Sequence, residues 1–111
     1  MSNSRIIFAA FGAILLMCTT ASAQNWCGQN RHFNNAERAI CDDTSLGQLD
    51  AIMSSDYHYL RKRLNRSDRR YFKRQQLRWK SSRDGCGYNP SCIRSTYQLR
   101  ISQIQNGQLA W

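Results

Sequence analysis

The segment CGYNPSC at residues 86–92 joins two helical patterns and carries two of the cysteines that decide the fold. Glycines on either side of its first cysteine end the preceding helix, and its Asn-Pro pair places a capping residue and a proline where the next helix begins. Cys86 and Cys92 flank this turn and can pair across it. Cys27 would then pair with Cys41, although four cysteines allow three connectivities and the sequence does not exclude the other two.

Residues 1–23 have the pattern of a cleaved bacterial export signal. Arg5 supplies a positive start, residues 6–17 are an almost unbroken apolar run, and the Ala-Ser-Ala at 21–23 matches a cleavage site, so that Gln24 would begin the mature chain. The apolar run is too short to span a bilayer, and we expect no transmembrane segment in the mature form. The sequence therefore predicts a periplasmic or secreted protein. In that oxidising setting, the four remaining cysteines predict two disulfides rather than a metal site or a cofactor.

Removing 23 of the 111 residues leaves 88, which is room for one small domain. We place this domain at residues 24–105 and a frayed tail at residues 106–111, from which Leu109 and Trp111 could pack back onto the domain. A domain of this size buries only about 60–65% of its unfolded surface, so it is marginally stable alone. Two disulfides, each contributing about 2–4 kcal/mol, would supply the missing stability.

Capping residues divide residues 34–105 into four helices, one short and three longer. Asn34 opens the first helix, with Glu37 placed three residues later as in a capping box. Asp43 opens the second and Ser67 the third, and the Asn-Pro pair of the turn opens the fourth. Because short connections make sequential helices antiparallel neighbours, the sequence predicts an all-α fold, a small antiparallel helical bundle stapled by two disulfides.

The three longer helices each have one inward stripe. The stripes consist of Leu46, Leu49, Met53, Tyr57, Leu60 and Leu64 on the second helix, Phe72, Gln76, Trp79, Arg83 and Cys86 on the third, and Ile93, Tyr97, Arg100 and Ile104 on the fourth. A charge on such a stripe is costly unless it is paired. Antiparallel packing places Arg83 at the level of Asp50, and Arg100 near Asp56 and Tyr57. We therefore predict that Asp50 accepts from Arg83, and that Asp56 or the Tyr57 hydroxyl engages Arg100.

Charge is distributed unevenly along the chain. The whole sequence has 16 basic and 7 acidic residues, and loss of Arg5 with the signal leaves 15 against 7, a net charge of +8. Residues 61–83 hold eleven basic residues and one acid, whereas residues 37–56 hold five acids and one basic residue. Such asymmetry favours contact with anionic polymers or acidic surfaces.

The third helix carries a set of candidate polyanion-binding residues beside or opposite its inward stripe. They are Arg69, Arg70, Lys73, Arg74, Arg78 and Lys80. A charged face of this kind is ordinarily only solvated surface, but here few acids are available to form i,i+4 pairs, which favours an external counter-charge. For an exported protein, that counter-charge implies peptidoglycan-associated glycans or lipopolysaccharide rather than a specific nucleic acid.

No group of residues has the pattern of a catalytic centre. A glycosidase needs two carboxylates across a sugar, yet Glu37 is the one glutamate in the chain. Asp42, Asp43 and Asp68 are accounted for as caps or first-turn acids. His58 has no nucleophile that it would serve. The sequence therefore predicts a protein that is not an enzyme.

Several short motifs, taken in order and spacing, resemble the LprI-type lysozyme inhibitor family, which consists of small secreted or periplasmic helical domains. The motifs are Ala39-Ile40-Cys41-Asp42, Leu49-Asp50, Gln76-Leu77-Arg78-Trp79, Arg83-Asp84-Gly85-Cys86 and Cys92-Ile93-Arg94-Ser95-Thr96-Tyr97. The resemblance covers about residues 27–105 and implies inhibition of a lysozyme or a related glycan hydrolase. We expect this chain to lack the lipid anchor of the protein that gave the family its name, and its third helix is unusually basic.

A lysozyme partner and an anionic polymer would require different surfaces. Lysozymes are commonly basic, so the basic third helix would repel one, and Asp42 and Asp43 become the candidate lysozyme-facing acids. An anionic envelope polymer would instead bind the basic helix. Lysozyme inhibition is the function that the resemblance implies, and a cationic module that binds envelope polymer is the alternative. The sequence does not indicate the oligomeric state.

Overall fold

A computed structural model describes residues 25–108, and these residues form four α-helices and no strand. A 3-10 turn at Asn25–Gly28 precedes α1 (Asn35–Asp42), α2 (Thr44–Arg61), α3 (Arg66–Asp84) and α4 (Pro90–Gln105). The predicted all-α bundle of one short and three longer helices is confirmed. The proposed signal at residues 1–23 and the proposed packing of Leu109 and Trp111 lie outside the described residues.

Two disulfides have the connectivity that the sequence favoured. Cys27 is bonded to Cys41 and Cys86 to Cys92, with Cα atoms 5.7 Å apart in both pairs. The first disulfide ties the 3-10 turn to α1, and the second clamps the turn between α3 and α4. Because Trp26 directly precedes Cys27, the first disulfide also fixes the position of the Trp26 ring against the bundle.

Side-chain caps begin the helices largely as predicted. Asn34 and Glu37 form a reciprocal capping box at α1, and Asp43 accepts from the backbone of α2. The predicted cap of α3 is wrong, since Asn65 rather than Ser67 caps it by accepting from the backbone N–H of Asp68 at 2.8 Å. Asn65 has the extended backbone of a cap, and asparagine caps a helix as well as serine does, so the helix begins at the earlier of the two.

α4 lies against both α2 and α3. Arg94 of α4 is hydrogen-bonded to Ser45 of α2, and the later residue Tyr97 is hydrogen-bonded to the later residue Asp50. Because the residue numbers increase in the same direction, these two helices run parallel. Contacts from α3 to α4 run in opposite directions along the two chains, as antiparallel helices require. α2 and α3 meet mainly through side chains, with the Tyr57 ring 4.7 Å from that of Phe72. The predicted antiparallel neighbours α2 and α3 therefore do contact each other, at Met53 with Gln76 as well as at this ring pair.

The core lies where α1 packs across the three longer helices. It is formed by Ala36, Ala39, Ile40, Leu46, Met53, Phe72, Ile93, Tyr97 and Ile104. The four inward residues predicted for α4 are all buried, as are Phe72, Gln76 and Arg83 of α3. None of the helices within the described residues combines the length and apolar character that a membrane span requires.

Candidate functional site

A buried polar network joins the three longer helices at one level. Asp50 accepts from Trp26 Nε1 at 2.8 Å and from the Tyr97 hydroxyl at 2.7 Å, so each carboxylate oxygen has a donor. Arg83 donates from Nη1 to the same hydroxyl at 3.3 Å, and from Nε and Nη2 to Asp84. Asp50 and Arg83 are only 6% and 3% exposed. The network is therefore an interior tie between helices rather than a surface for recognition.

The structure joins Asp50 and Arg83 through Tyr97 instead of directly, which corrects the predicted contact. The two residues do lie at the same level, as predicted. Tyr97 projects between them from α4, and its hydroxyl can donate to a carboxylate while accepting from a guanidinium. Trp26 takes the remaining carboxylate oxygen, and it comes from a segment that has no helical periodicity in the sequence.

The network favours one protonation state of Tyr97. Burial, followed by the negative charge of Asp50, raises the pKa of Tyr97 and outweighs the opposite effect of Arg83. Burial alone would lower the pKa of Arg83, but Tyr97 and Asp84 outweigh it, and the pKa of Arg83 is raised. Tyr97 therefore stays protonated at neutral pH and continues to donate to Asp50.

We expect the fold to lose stability in alkaline solution. A group whose pKa is raised by folding stabilises the native state fully below its unfolded pKa, which is about 10 for tyrosine, and this contribution declines as pH rises above that value. For the fully buried Tyr97, the free energy of unfolding should fall by about 1.4 kcal/mol per pH unit above pH about 10. Urea unfolding from about pH 8 to about pH 11 measures this slope.

Tyr97→Phe is the matched control for the alkaline loss, because it keeps the ring and removes the ionisable hydroxyl. The variant should be less stable than the wild type at pH about 8 and should show a shallower decline at higher pH. Identical slopes in the two proteins would show that Tyr97 does not carry the alkaline sensitivity.

Arg100 meets a partner that the sequence did not indicate. Its Nε donates to Gln76 Oε1 at 3.0 Å, whereas the carboxylate of Asp56 accepts from Gln105 at the surface. Tyr57 lies close enough to affect the guanidinium, since burial lowers the pKa of Arg100 and Tyr57 opposes that effect. The hydrogen bond to Gln76 was not predicted, and the effect of Tyr57 on Arg100 is electrostatic. The amide reaches Arg100 because antiparallel packing puts both at one level of α3 and α4.

The basic face of α3 is exposed along its whole length. We use this name for the six predicted polyanion-binding residues, Arg69, Arg70, Lys73, Arg74, Arg78 and Lys80, all of which are exposed. The structure shows ion pairs of Arg31 with Glu37, Arg83 with Asp84 and Arg94 with Asp43, and within the described residues none involves the basic face. This face therefore presents uncompensated positive charge to solvent.

The candidate lysozyme-facing acids are engaged within the protein. Asp42 accepts from the Tyr88 hydroxyl at 2.9 Å. Asp43 caps α2 and lies 3.6 Å from the Arg94 guanidinium. It also accepts a hydrogen bond from the Ser45 side chain, and this bond is the main cause of the lowered pKa of Asp43. Both acids remain at least partly accessible, but their charge is shared with neighbours that also hold the ends of α1 and α2 in place.

A cleft of about 330 Å³ opens between α2 and α3, and it was not predicted from the sequence. It lies at the level of the polar network, and Trp26 and Glu37 complete its wall from the turn before α1 and from α1. The residues that matter most for its chemistry are Trp26, Arg31, Asp50, Tyr57, Lys80 and Arg83. The available signal was Arg83 on the predicted inward stripe of the third helix with Asp50 at its level on the second, because charged groups in buried surroundings are candidates for a functional site.

Comparison of the chain with known protein families, with characterised proteins and with solved structures finds no match. Among the residues that the structure describes, no cluster of His, Cys, Asp or Glu side chains has the arrangement of a metal site. The basic face and the cleft are therefore the two surfaces that bear on function.

Proposed function

We propose that this protein is an exported, non-enzymatic binding protein of the bacterial envelope that holds anionic polymer on the basic face of α3. The observation that carries this proposal is the exposure of all six basic residues, with no ion pair to any other described residue. Like charges at three- and four-residue spacing on a helix repel one another. A polyanion bound across them relieves that repulsion and is attracted from a distance.

The dimensions of the basic face suit an extended polymer better than a small ion. Residues 69–80 rise by about 17 Å along the helix, so a ligand must carry several negative charges to meet most of the face. Each contact with an exposed cation is weak, and several acting together give useful affinity. Such binding depends strongly on salt, because exposed charges are screened over about 10 Å at an ionic strength of about 0.1 M.

Two features support a location outside the cytoplasm. The N-terminal pattern is that of an export signal, and the two disulfides are compatible with an oxidising compartment. In that setting, acidic glycans associated with peptidoglycan and the phosphates of lipopolysaccharide are the anionic polymers at hand. Both present repeated negative charge along an extended chain.

Inhibition of a lysozyme is the second candidate function, and the motifs that resemble LprI-type inhibitors support it. In the structure, several residues of these motifs are interior. Ile40 and Ile93 belong to the core, while Asp50, Arg83 and Tyr97 form the polar network. The motifs therefore account for a shared fold more directly than for a shared contact surface. Since Asp42 and Asp43 are also engaged internally, the basic face has the stronger support.

Charge reversal on α3 tests the proposed function. The triple variant R70E, R74E and R78E should weaken binding to purified sacculi on the order of 100-fold, because each basic contact to an anionic surface contributes about 1 kcal/mol. A triple variant at Arg38, Arg61 and Lys62, also changed to Glu, carries the same change in net charge on exposed positions outside the basic face. That control should bind much more tightly than the first variant.

The same variants separate the two candidate functions when they are added to a lysozyme turnover assay. If the acidic end contacts lysozyme, reversal on α3 should leave inhibition intact or make its onset faster. Undiminished sacculus binding by the folded α3 variant would contradict the proposed function. Loss of inhibition in that variant would place the inhibitory surface on α3 and not at Asp42 and Asp43.

A further inference from the structure

The cleft between α2 and α3 adjoins the basic face, and Lys80 belongs to both. Lys73 lies seven residues before Lys80 and Arg69 lies four residues before Lys73, so these three side chains share one side of α3. The stripe that they form leads along the helix to the cleft. A polymer held on the basic face would thus present an end or a side group at the mouth of the cleft.

Lys80 is the cation in the cleft wall that remains available to a ligand. Arg31 also lines the cleft, but it pairs with Glu37 at 2.9 Å. Arg83 pairs with Asp84 at 2.8 Å. Lys80 is exposed and forms no ion pair within the part of the chain that the structure describes. One flexible ammonium therefore faces the space that a ligand would occupy.

The charges around the cleft favour a ligand with a single negative charge. Glu37 and Asp50 contribute carboxylates to the same lining, and these repel a phosphate monoester, which carries about −1.5 to −2 charge at neutral pH. A carboxylate with one negative charge suits one ammonium. The Ser54 hydroxyl and the His58 imidazole in the same lining can form hydrogen bonds with hydroxyl groups on the ligand.

The remaining lining suits a ring with one apolar face. Trp26, Met53 and Tyr57 provide apolar and aromatic surface, while Ser54 and His58 add polar groups at the side of α2. A volume of about 330 Å³ is at the small end of ligand pockets in proteins, which fits one ring and its substituents. A pyranose has both hydroxyl groups and a C–H face that can lie against an aromatic ring.

We propose that the cleft binds a pyranose ring bearing one carboxylate, an acidic sugar residue of the anionic polymer. Lys80 pairs with the carboxylate, and Trp26 and Tyr57 contact the ring. This assignment rests on the proposed function, because the polymer on the basic face is what delivers the sugar to the cleft.

Titration of the oxidised, exported protein with glucuronic acid, followed by backbone and indole N–H resonances in NMR spectra, tests the site. Saturable shifts should cluster on Trp26, Ser54, Tyr57 and Lys80. Glucose, which lacks the charge, and glucose 6-phosphate, which carries too much of it, should each bind about tenfold more weakly. Lys80→Gln should weaken glucuronate about tenfold and leave glucose unchanged.

Lys62→Gln is the matched control, since Lys62 is an exposed lysine outside the cleft lining, and this variant should bind glucuronate like the wild type. Equal effects of the two lysine substitutions, tighter binding of glucose 6-phosphate, or an absence of shifts in the cleft would each overturn the assignment.

Binding of the same proteins to alginate, a polymer of acidic sugars, separates the two proposals. If the basic face binds alginate and glucuronate leaves the cleft unshifted, the site is refuted and the proposed function stands. If alginate does not bind, the proposed function is contradicted.

Discussion

Reduction of both disulfides is expected to lower the free energy of unfolding by about 5 kcal/mol. The cysteines of the two disulfides are 14 and 6 residues apart in sequence, and closing loops of these lengths restricts the unfolded chain by about 3 and about 2 kcal/mol. Small domains have only about 5–15 kcal/mol of stability in total. Thermal unfolding with and without reductant measures the loss. An unchanged midpoint after reduction has been confirmed by mass would contradict this expectation.

The two disulfides should differ in their effects. Replacing Cys27 and Cys41 by serine opens the longer loop and also frees the turn that holds Trp26 against Asp50. Replacing Cys86 and Cys92 opens a short loop between two helices that also contact each other through Trp79 and Thr96. We therefore expect the first pair of substitutions to be the more destabilising, and to shift the Trp26 indole resonance as well.

Asp50→Ala is expected to cost about 2–4 kcal/mol, which is the largest effect we expect from a single substitution. The change removes the carboxylate that accepts hydrogen bonds from both Trp26 Nε1 and the Tyr97 hydroxyl. It also removes a negative charge close to the buried Arg83, which is connected to Asp50 through the Tyr97 hydroxyl. For a domain of this size, the loss corresponds to a fall in Tm of about 8–30 °C. Calorimetry or circular dichroism on the oxidised protein measures it.

Asp56→Ala is the matched control for Asp50→Ala. Asp56 lies at the surface of α2, and its hydrogen bond comes from the exposed Gln105, so its loss should cost under about 1 kcal/mol. Similar losses in the two variants would show that the network at Asp50 is not the tie we describe. A double-mutant cycle with Arg83, repeated in a Tyr97→Phe background, tests the link directly. Coupling between Asp50 and Arg83 should shrink when the bridging hydroxyl is absent.

Local features of the fold could be predicted from the sequence because they depend on nearby residues. The capping box of Asn34 and Glu37 and the cap at Asp43 need only a short segment of chain. The cap of α3 shows the limit of such reasoning, since Asn65 and Ser67 are two residues apart and are equally good caps. Which of them begins the helix depends on where the chain leaves α2, and a helical pattern does not fix that position.

The candidate site could be predicted only in part. The levels of Asp50 and Arg83 follow from helix length and antiparallel packing, whereas the side chain that bridges them depends on how far apart α2 and α3 lie. α4 packs against both helices, and its Tyr97 occupies the space between Asp50 and Arg83. The contact of Trp26 with Asp50 could not be predicted from helical periodicity, because Trp26 lies in the turn before α1. The cleft is lined by Trp26, Asp50 and Arg83 of these contacts, so it too could not be derived from the sequence alone.

The exposure of the basic face was easier to predict, because an excess of arginine and lysine on one helix can be stable only in contact with solvent or with a counter-charge. What the structure adds is the absence of ion pairs to that face within residues 25–108. It also adds the position of the face beside a cleft. Together these features favour a polymer ligand over a merely solvated helix.

The salt dependence of binding to purified sacculi tests whether the basic face of α3 holds anionic polymer. We predict that the oxidised protein binds sacculi at about 0.05 M salt and is released at about 0.5 M, where the screening length has fallen to about 4 Å and the attraction of the exposed charges is weakened. The triple reversal of Arg70, Arg74 and Arg78 should remove the low-salt binding. No binding at low salt, or binding that is insensitive to both salt and charge reversal, would contradict the account, and lysozyme inhibition without sacculus binding would support the second candidate instead.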